Sequence, residues 1–295
     1  MKLSVVILPC ARWEVIRDRW IAAEEWGLHA GYTYDHLSWR TPFRDGPWFS
    51  MIPTLVAASM VTSRLRLGPL VTTANFRHPL LLAKDLIALD DISGGRAIVG
   101  IGSGGTGFDA TTLGHEPWTA RERHDRFVEF THALDRLLTE PSSNLAGPYY
   151  PVVDSRQMPG PRQLPRPPIY LGAHGPRGIA LAAHVAQGWV SFGDPSSSDQ
   201  STLATVKTQV AMLDDALAAR GRADSSMWRV LLDFAGDESP MSSFEAFVHW
   251  AGCYHELGFD ELVVHWPVTD SPYDYDPTVF ERIVREGHAT LQSWD

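Results

Sequence analysis

The sequence predicts a (β/α)8 barrel carrying an irregular, proline-rich insertion. Three observations lead there. Short apolar runs alternate with amphipathic stretches along nearly the whole chain. The 295 residues have room for eight such units in one domain. No GxGxxG follows the first apolar run, which counts against the main rival, a doubly wound dinucleotide-binding sheet.

Lys2–Leu8 is apolar and reads as the first strand. Trp13–Trp26 is amphipathic and stops at Gly27. Gly31–Tyr34 is a short second strand, and Trp48–Thr62 is helical. Residues 64–104 then give the clearest unit. Leu65–Val71 enters as a strand, Pro79–Leu89 places Leu82, Leu86 and Leu89 at helical spacing, Ser93-Gly94-Gly95 breaks the helix, and Ala97–Ile101 is a strand apolar on both faces. Thr119–Leu138 is a long helix with Phe127, Phe130, Leu134 and Leu137 on one side. Pro141–Pro168 is rich in proline and glycine and reads as extended and irregular, without being floppy. The rhythm resumes with strands at Ile169–Gly172, Trp189–Phe192, Trp228–Phe234 and Glu261–Trp266. Helices fall at about Gly178–Ala186, Ser201–Arg220, Ser242–Leu257 and Pro277–Gln292. The reading is one domain over residues 1–295 with an insertion at about 105–167.

Composition narrows the function. A formal net charge of −10 argues against nucleic acid or an anionic membrane as the main partner. Only Lys2, Lys84 and Lys207 are lysines, so nearly all positive charge is arginine. Cys10 and Cys253 form no local pair, so a disulfide framework is not expected and a cytoplasmic location fits. The opening apolar run is too short for a signal peptide, and no run approaches the roughly 20 residues of a membrane span.

In a barrel the chemistry sits at the carboxyl ends of the strands. Those ends carry glycine, aromatics and histidine, and few carboxylates. Asp35-His36, just past the second strand, is the best catalytic pair, because histidine exchanges protons near neutral pH. His78 precedes Pro79 and reads as a structural residue at a helix entry. His249 and His255 lie six apart, which does not match a helical metal pair, so no metal is expected. Gly102–Gly107 lacks the Lys-Ser/Thr ending of a P-loop but permits close approach of a flat ligand. Ala173–Gly178 (AHGPRG) follows a strand and opens a helix, where free N–H groups, the helix dipole and Arg177 favour an anion. Trp13, Tyr32, Tyr34, Trp39, Trp48, Phe49 and Phe76 crowd the early segments and could line a slot for a ring system.

Asp35-His36, TSRLRLGPLVTTANFRHP (62–79), LDDISGGRAIVGIGSGG (89–105) and YLGAHGPRG (170–178) together resemble the luciferase-like superfamily of flavin- or deazaflavin-dependent oxidoreductases. The resemblance runs from residue 2 to about 193 and is strongest to the coenzyme F420-dependent branch. It implies a commonly dimeric barrel whose strand ends carry the cofactor ring. A non-proline cis peptide would lie beneath that ring at about Leu70–Val71, with Thr73 nearby. Gly102, Ser103 and Gly104 would flank the cofactor, and Ala173, His174, Gly175 and Arg177 would hold its phosphate. His36 would be the acid/base, with Asp35 beside it and Trp39 against the reacting carbon.

Sugar-phosphate dehydrogenases of that branch place a glutamate where Gly105 stands here. The resemblance therefore implies F420H2-dependent reduction of an activated C=C or C=N bond, in a small molecule or modified peptide of specialised metabolism. The alternatives are an FMN-dependent monooxygenase using O2 and reduced flavin from a separate reductase, and a non-catalytic ligand-binding barrel.

Overall fold

The structure is a computed structural model; it describes residues 1–105, 108–193, 202–234 and 240–294. Its elements in chain order are β1 (Lys2–Val6), α1 (Trp13–Glu25), β2 (Ala30–Thr33), α2 (Met51–Val61), β3 (Arg66–Pro69), β4 (Thr72–Thr73), α3 (Pro79–Ile92) and β5 (Val99–Gly102). There follow α4 (Phe108–Thr112), α5 (Ala120–Thr139), β6 (Ser142–Leu145), β7 (Val152–Arg156), β8 (Ile169–Gly172), α6 (Pro176–Val185), β9 (Gly188–Ser191) and α7 (Thr202–Ala218). The chain ends with β10 (Trp228–Leu232), α8 (Phe244–His255), β11 (Glu261–His265), α9 (Pro277–Arg282) and α10 (His288–Gln292).

Nine strands form one parallel sheet in the order β3-β2-β1-β11-β10-β9-β8-β5-β4. Its two ends, β3 and β4, are halves of one barrel strand, interrupted by the cis peptide Leu70–Val71. β3 pairs β2 on one side and β4 pairs β5 on the other, and a Leu67–Ala97 bridge completes the ring. Eight barrel strands result, one for each predicted unit. At the closure the backbones come close: a Cβ on Gly68 would collide with the Ile98 carbonyl, and one on Gly100 with that of Pro69.

Strand alternation sorts the core into two shells. Leu3, Val5 and Ile7 of the first strand face the helices, while Val6 and Leu8 face the barrel axis with Tyr32, Ile98, Tyr170, Val190, Val230 and Val263. The amino-terminal end of the axis is plugged by Glu261, which is fully buried and accepts hydrogen bonds from Tyr32 Oη (3.0 Å) and Trp228 Nε1 (2.8 Å).

Helix boundaries follow their caps. α3 starts at Pro79 because His78 accepts the Leu80 N–H, which is the structural role expected of it. α6 starts at Pro176, earlier than predicted, because proline suits the first helical position and Gly175 supplies the extended residue before it. Three expectations need correcting. The segment expected to be irregular contains an antiparallel hairpin, β6–β7, closed around the Gly147–Pro151 turn. The expected helix at Trp48 begins only at Met51. The last helix is broken by a π turn at Ile283–Gly287, where Gly287 lies against the Phe247 ring. Ser201 and residues 106–107, within two predicted segments, lie outside the described residues.

Glu24, at the end of α1, ties down the turn between α2 and β3. Its carboxylate accepts from the backbone N–H groups of Ser63, Arg64 and Leu65 and from Ser63 Oγ. Partial burial pushes its pKa up, but those donors outweigh it and hold it at about 2. Glu24→Gln is expected to lower stability near neutral pH by about 1 kcal/mol after allowing for solvent exposure. Because the native pKa is depressed, the wild-type advantage is present above the ordinary carboxylate pKa of about 4.3. It fades as pH falls toward about 2. Urea unfolding of both proteins across that range checks this.

Candidate active site

A cavity of about 630 Å³ opens among the carboxyl ends of the strands, and a second of about 340 Å³ adjoins it. The two share Ser103, Gly104, Gly172 and His174, so they form one continuous cleft. Leu70, Val71, Thr73, Gly102, Ser103, Gly104 and His174 line the larger part. Ala173, Gly175 and Arg177 line the smaller part. All ten residues assigned to the cofactor from sequence therefore sit on this cleft.

The floor of the larger cavity is built by close approach. A Cβ on Gly102 would strike Val71. Gly104, at φ +75°, has no room for a Cβ beside Asn75 and Thr73 Oγ1. Asn75 is 2% exposed, and its Oδ1 has no hydrogen-bond partner among the described residues. Asn75 is not part of the cavity lining, so its role is to hold the turn under Gly104, and the glycines leave the floor open to a planar ligand. Val190, Phe192, Leu232 and Phe234 supply an apolar wall.

The smaller cavity is basic. The first turn of α6 presents unpaired backbone N–H groups behind Gly175. Arg177 follows at the second helical position, and Arg123 and His124 project from the first turn of α5. Partial burial pushes His124 below its ordinary pKa and the neighbouring Arg177 charge pushes it the same way. An anion in the cavity would counter the Arg177 effect. Sequence reasoning missed Arg123 and His124, which lie some 50 residues before the AHGPRG turn.

His36 and Trp39 line the larger cavity; Asp35 does not. Successive residues of an extended segment point to opposite sides. Asp35 turns inward, is 1% exposed, and accepts from Arg77 Nη2 (2.6 Å), Arg77 Nε (3.0 Å) and Thr72 Oγ1 (2.6 Å). Its place among the catalytic residues is thus corrected to a positioning one: both oxygens are spent on tying β2 to the interrupted strand. The partner of His36 is instead Asp109, at the start of α4. Nδ1 of His36 donates to Asp109 Oδ2 at 2.7 Å, and the Leu37 N–H donates to Asp109 Oδ1 at 2.8 Å. Asp109 is also 1% exposed. A carboxylate that accepts from both donors favours the Nδ1-protonated tautomer, which puts the lone pair of the neutral ring on Nε2.

Aromatic stacking fixes the plane of that imidazole. Trp39 stacks on His36 at 4.2 Å, and Trp48 donates its Nε1–H to the His36 carbonyl at 3.0 Å. Beneath them Tyr34 Oη lies 2.8 Å from His265 Nε2, and His265 stacks on Tyr273 at 3.7 Å. Burial pushes His265 down to about 3 and the Tyr34 hydroxyl well above its ordinary value, so both are neutral props at physiological pH. Trp13 and Trp266 pack against the helical shell, and Trp266 stacks on Trp26 at 5.2 Å.

A parallel barrel with a glycine-floored cleft, a basic end and one histidine–carboxylate pair defines an enzyme-like site for a flat, phosphate-bearing ligand. The luciferase-like monooxygenase family model matches residues 1–232, and the chain belongs to that family. An F420-dependent glucose-6-phosphate dehydrogenase from Microbacterium testaceum is 33% identical over 207 residues, covering 70% of this chain and 59% of that protein. A 4-hydroxyprotoasukamycin monooxygenase from Streptomyces nodosus is 31% identical over 216 residues, covering 72% of this chain and 53% of that protein. The chain therefore matches little more than half the length of these two relatives. The coenzyme F420-dependent tetrahydromethanopterin reductase from Methanopyrus kandleri shares the fold, with a TM-score of 0.75 at 17% identity over 97% of each chain.

Asp109→Asn offers one acceptor oxygen to two donors and turns an N–H toward Nδ1, which favours the wrong tautomer. It is expected to lower kcat about 100-fold or more with cofactor affinity little changed. Steady-state kinetics beside a cofactor titration check this.

Proposed function

We propose that this chain is an F420-dependent oxidoreductase that interconverts an alcohol and a carbonyl on a small molecule. The His36–Asp109 pair carries this reading. When bound, the deazaflavin accepts or supplies a hydride at C5. The chain has to move the accompanying proton. His36 would take the hydroxyl proton at Nε2 during oxidation and return it during reduction, while Asp109 at Nδ1 stabilises the charge that develops on the ring. Trp39 keeps the imidazole in plane, and the apolar wall excludes water from the reacting carbon.

Gly105 lacks the carboxylate that sugar-phosphate dehydrogenases carry there, and that absence favoured reduction of a C=C or C=N bond. Asp109, four residues on, weakens this argument because it brings a carboxylate to within 2.7 Å of the same histidine. The name of the Microbacterium testaceum relative supports alcohol oxidation with F420, and the Streptomyces nodosus relative keeps monooxygenation as the second reading.

Separate titrations with oxidised F420 and FMN, followed by incubation of the F420 complex with a panel of secondary alcohols, test the proposal. The expected outcome is micromolar F420 binding at least about tenfold tighter than FMN, with alcohol-dependent bleaching of the deazaflavin. FMN binding alone, with FMNH2-dependent oxygen uptake, would sink it in favour of monooxygenation. Oxidation of F420H2 by enones or imines, without any alcohol turnover, would return the reaction to C=C or C=N reduction.

A further inference from the structure

Two arginines line the larger cavity that belong neither to the proton pair nor to the basic end. Arg40 and Arg44 come from the loop between β2 and α2. The Arg40 guanidinium lies 5.1 Å from the Trp39 ring and 5.5 Å from the Phe234 ring, and both rings also line the cavity. Trp39 stacks on His36, so Arg40 sits one ring away from the histidine. Tyr34 lines the same cavity as Arg40. Arg44 is anchored by its neighbour Phe43, which is buried against Trp48 and Tyr273.

Neither arginine makes an ion pair among the described residues. The described lining of the cavity contains no aspartate or glutamate. In a chain of net charge −10, two cations on an apolar wall with no ion pair among the described residues are a local exception that suits a counter-ion from a ligand. Guanidinium is weakly hydrated and forks onto carboxylate or phosphate, so it suits a partly desolvated grip. The cofactor's phosphate has its own cations, Arg123 and Arg177, in the other cavity.

We infer that the substrate carries an anionic group, carboxylate or phosphate ester, on the arm that leaves the cavity past Trp39, and that Arg40 and Arg44 grip it there. The assignment of this arm to a substrate rests on the function proposed above. The grip itself is a binding property that can be read without turnover.

Benzoate, phenyl phosphate and the neutral benzamide serve as probes. Their binding to the F420-loaded protein is followed by calorimetry, in wild type and in the Arg40→Gln/Arg44→Gln double variant. The wild type is expected to hold at least one anion about tenfold tighter than benzamide, and the double variant to lose that preference. The preference should also shrink with added salt. F420 affinity should change less than about twofold. Tighter binding of phenyl phosphate than benzoate would identify a phosphate ester, and the reverse a carboxylate. Equal binding of the three probes by wild type would overturn the inference. So would a preference that survives both substitutions, or a loss confined to F420 affinity. Failure of F420 to bind would count against the proposed function instead. The same probes on the unloaded protein would still decide the grip.

Discussion

A carboxylate taken out of water at the end of a barrel strand must be paired, and Asp35 is paired twice over. Arg77 meets it with two nitrogens and Thr72 with a hydroxyl. Removing one partner from such a pair typically costs about 3–5 kcal/mol. The arrangement therefore locks the exit of β2 to the strand interrupted at Leu70–Val71. That lock decides where the next residue emerges. His36 comes out on the opposite side, over the cleft, where Asp109 and Trp39 take hold of its ring. Asp35 thus fixes backbone geometry, and Asp109 holds the imidazole itself.

The rest of the cleft is graded from apolar to basic along its length. Glycines at 102 and 104 remove side chains where a ring would lie. Past Ser103 the lining changes to Arg123, His124, Arg177 and the amino end of α6. In the larger cavity Arg40 lies over the Trp39 and Phe234 rings, and Arg44 joins the same lining. Cations thus line both cavities, and His36 lines the larger one.

Much of this was legible in the sequence, for definite physical reasons. Eight short apolar runs separated by amphipathic helices leave few architectures open, so the barrel could be read directly. Turns such as GSGG and AHGPRG could be placed at the cleft because glycine and a helix start have local causes. The hairpin β6–β7 was hidden because the prolines around Tyr149-Tyr150 look like breakers, when they flank a turn. Asp35-His36 misled for the opposite reason. Neighbours in sequence look like partners, yet an extended backbone sends them to opposite sides. The true pair joins residues 73 positions apart, and only the barrel brings α4 over the end of β2. Arg40 and Arg44 carried no pattern at all; their meaning comes from what surrounds them.

The central claim is that Asp109 sets the state of His36. Nitrogen-15 NMR of the imidazole in wild type and Asp109→Asn tests it most directly. The account predicts that the neutral His36 ring is protonated at Nδ1 in wild type and shifts toward the Nε2-protonated form in the variant. A wild-type ring protonated at Nε2, with the same spectrum in the variant, would contradict it.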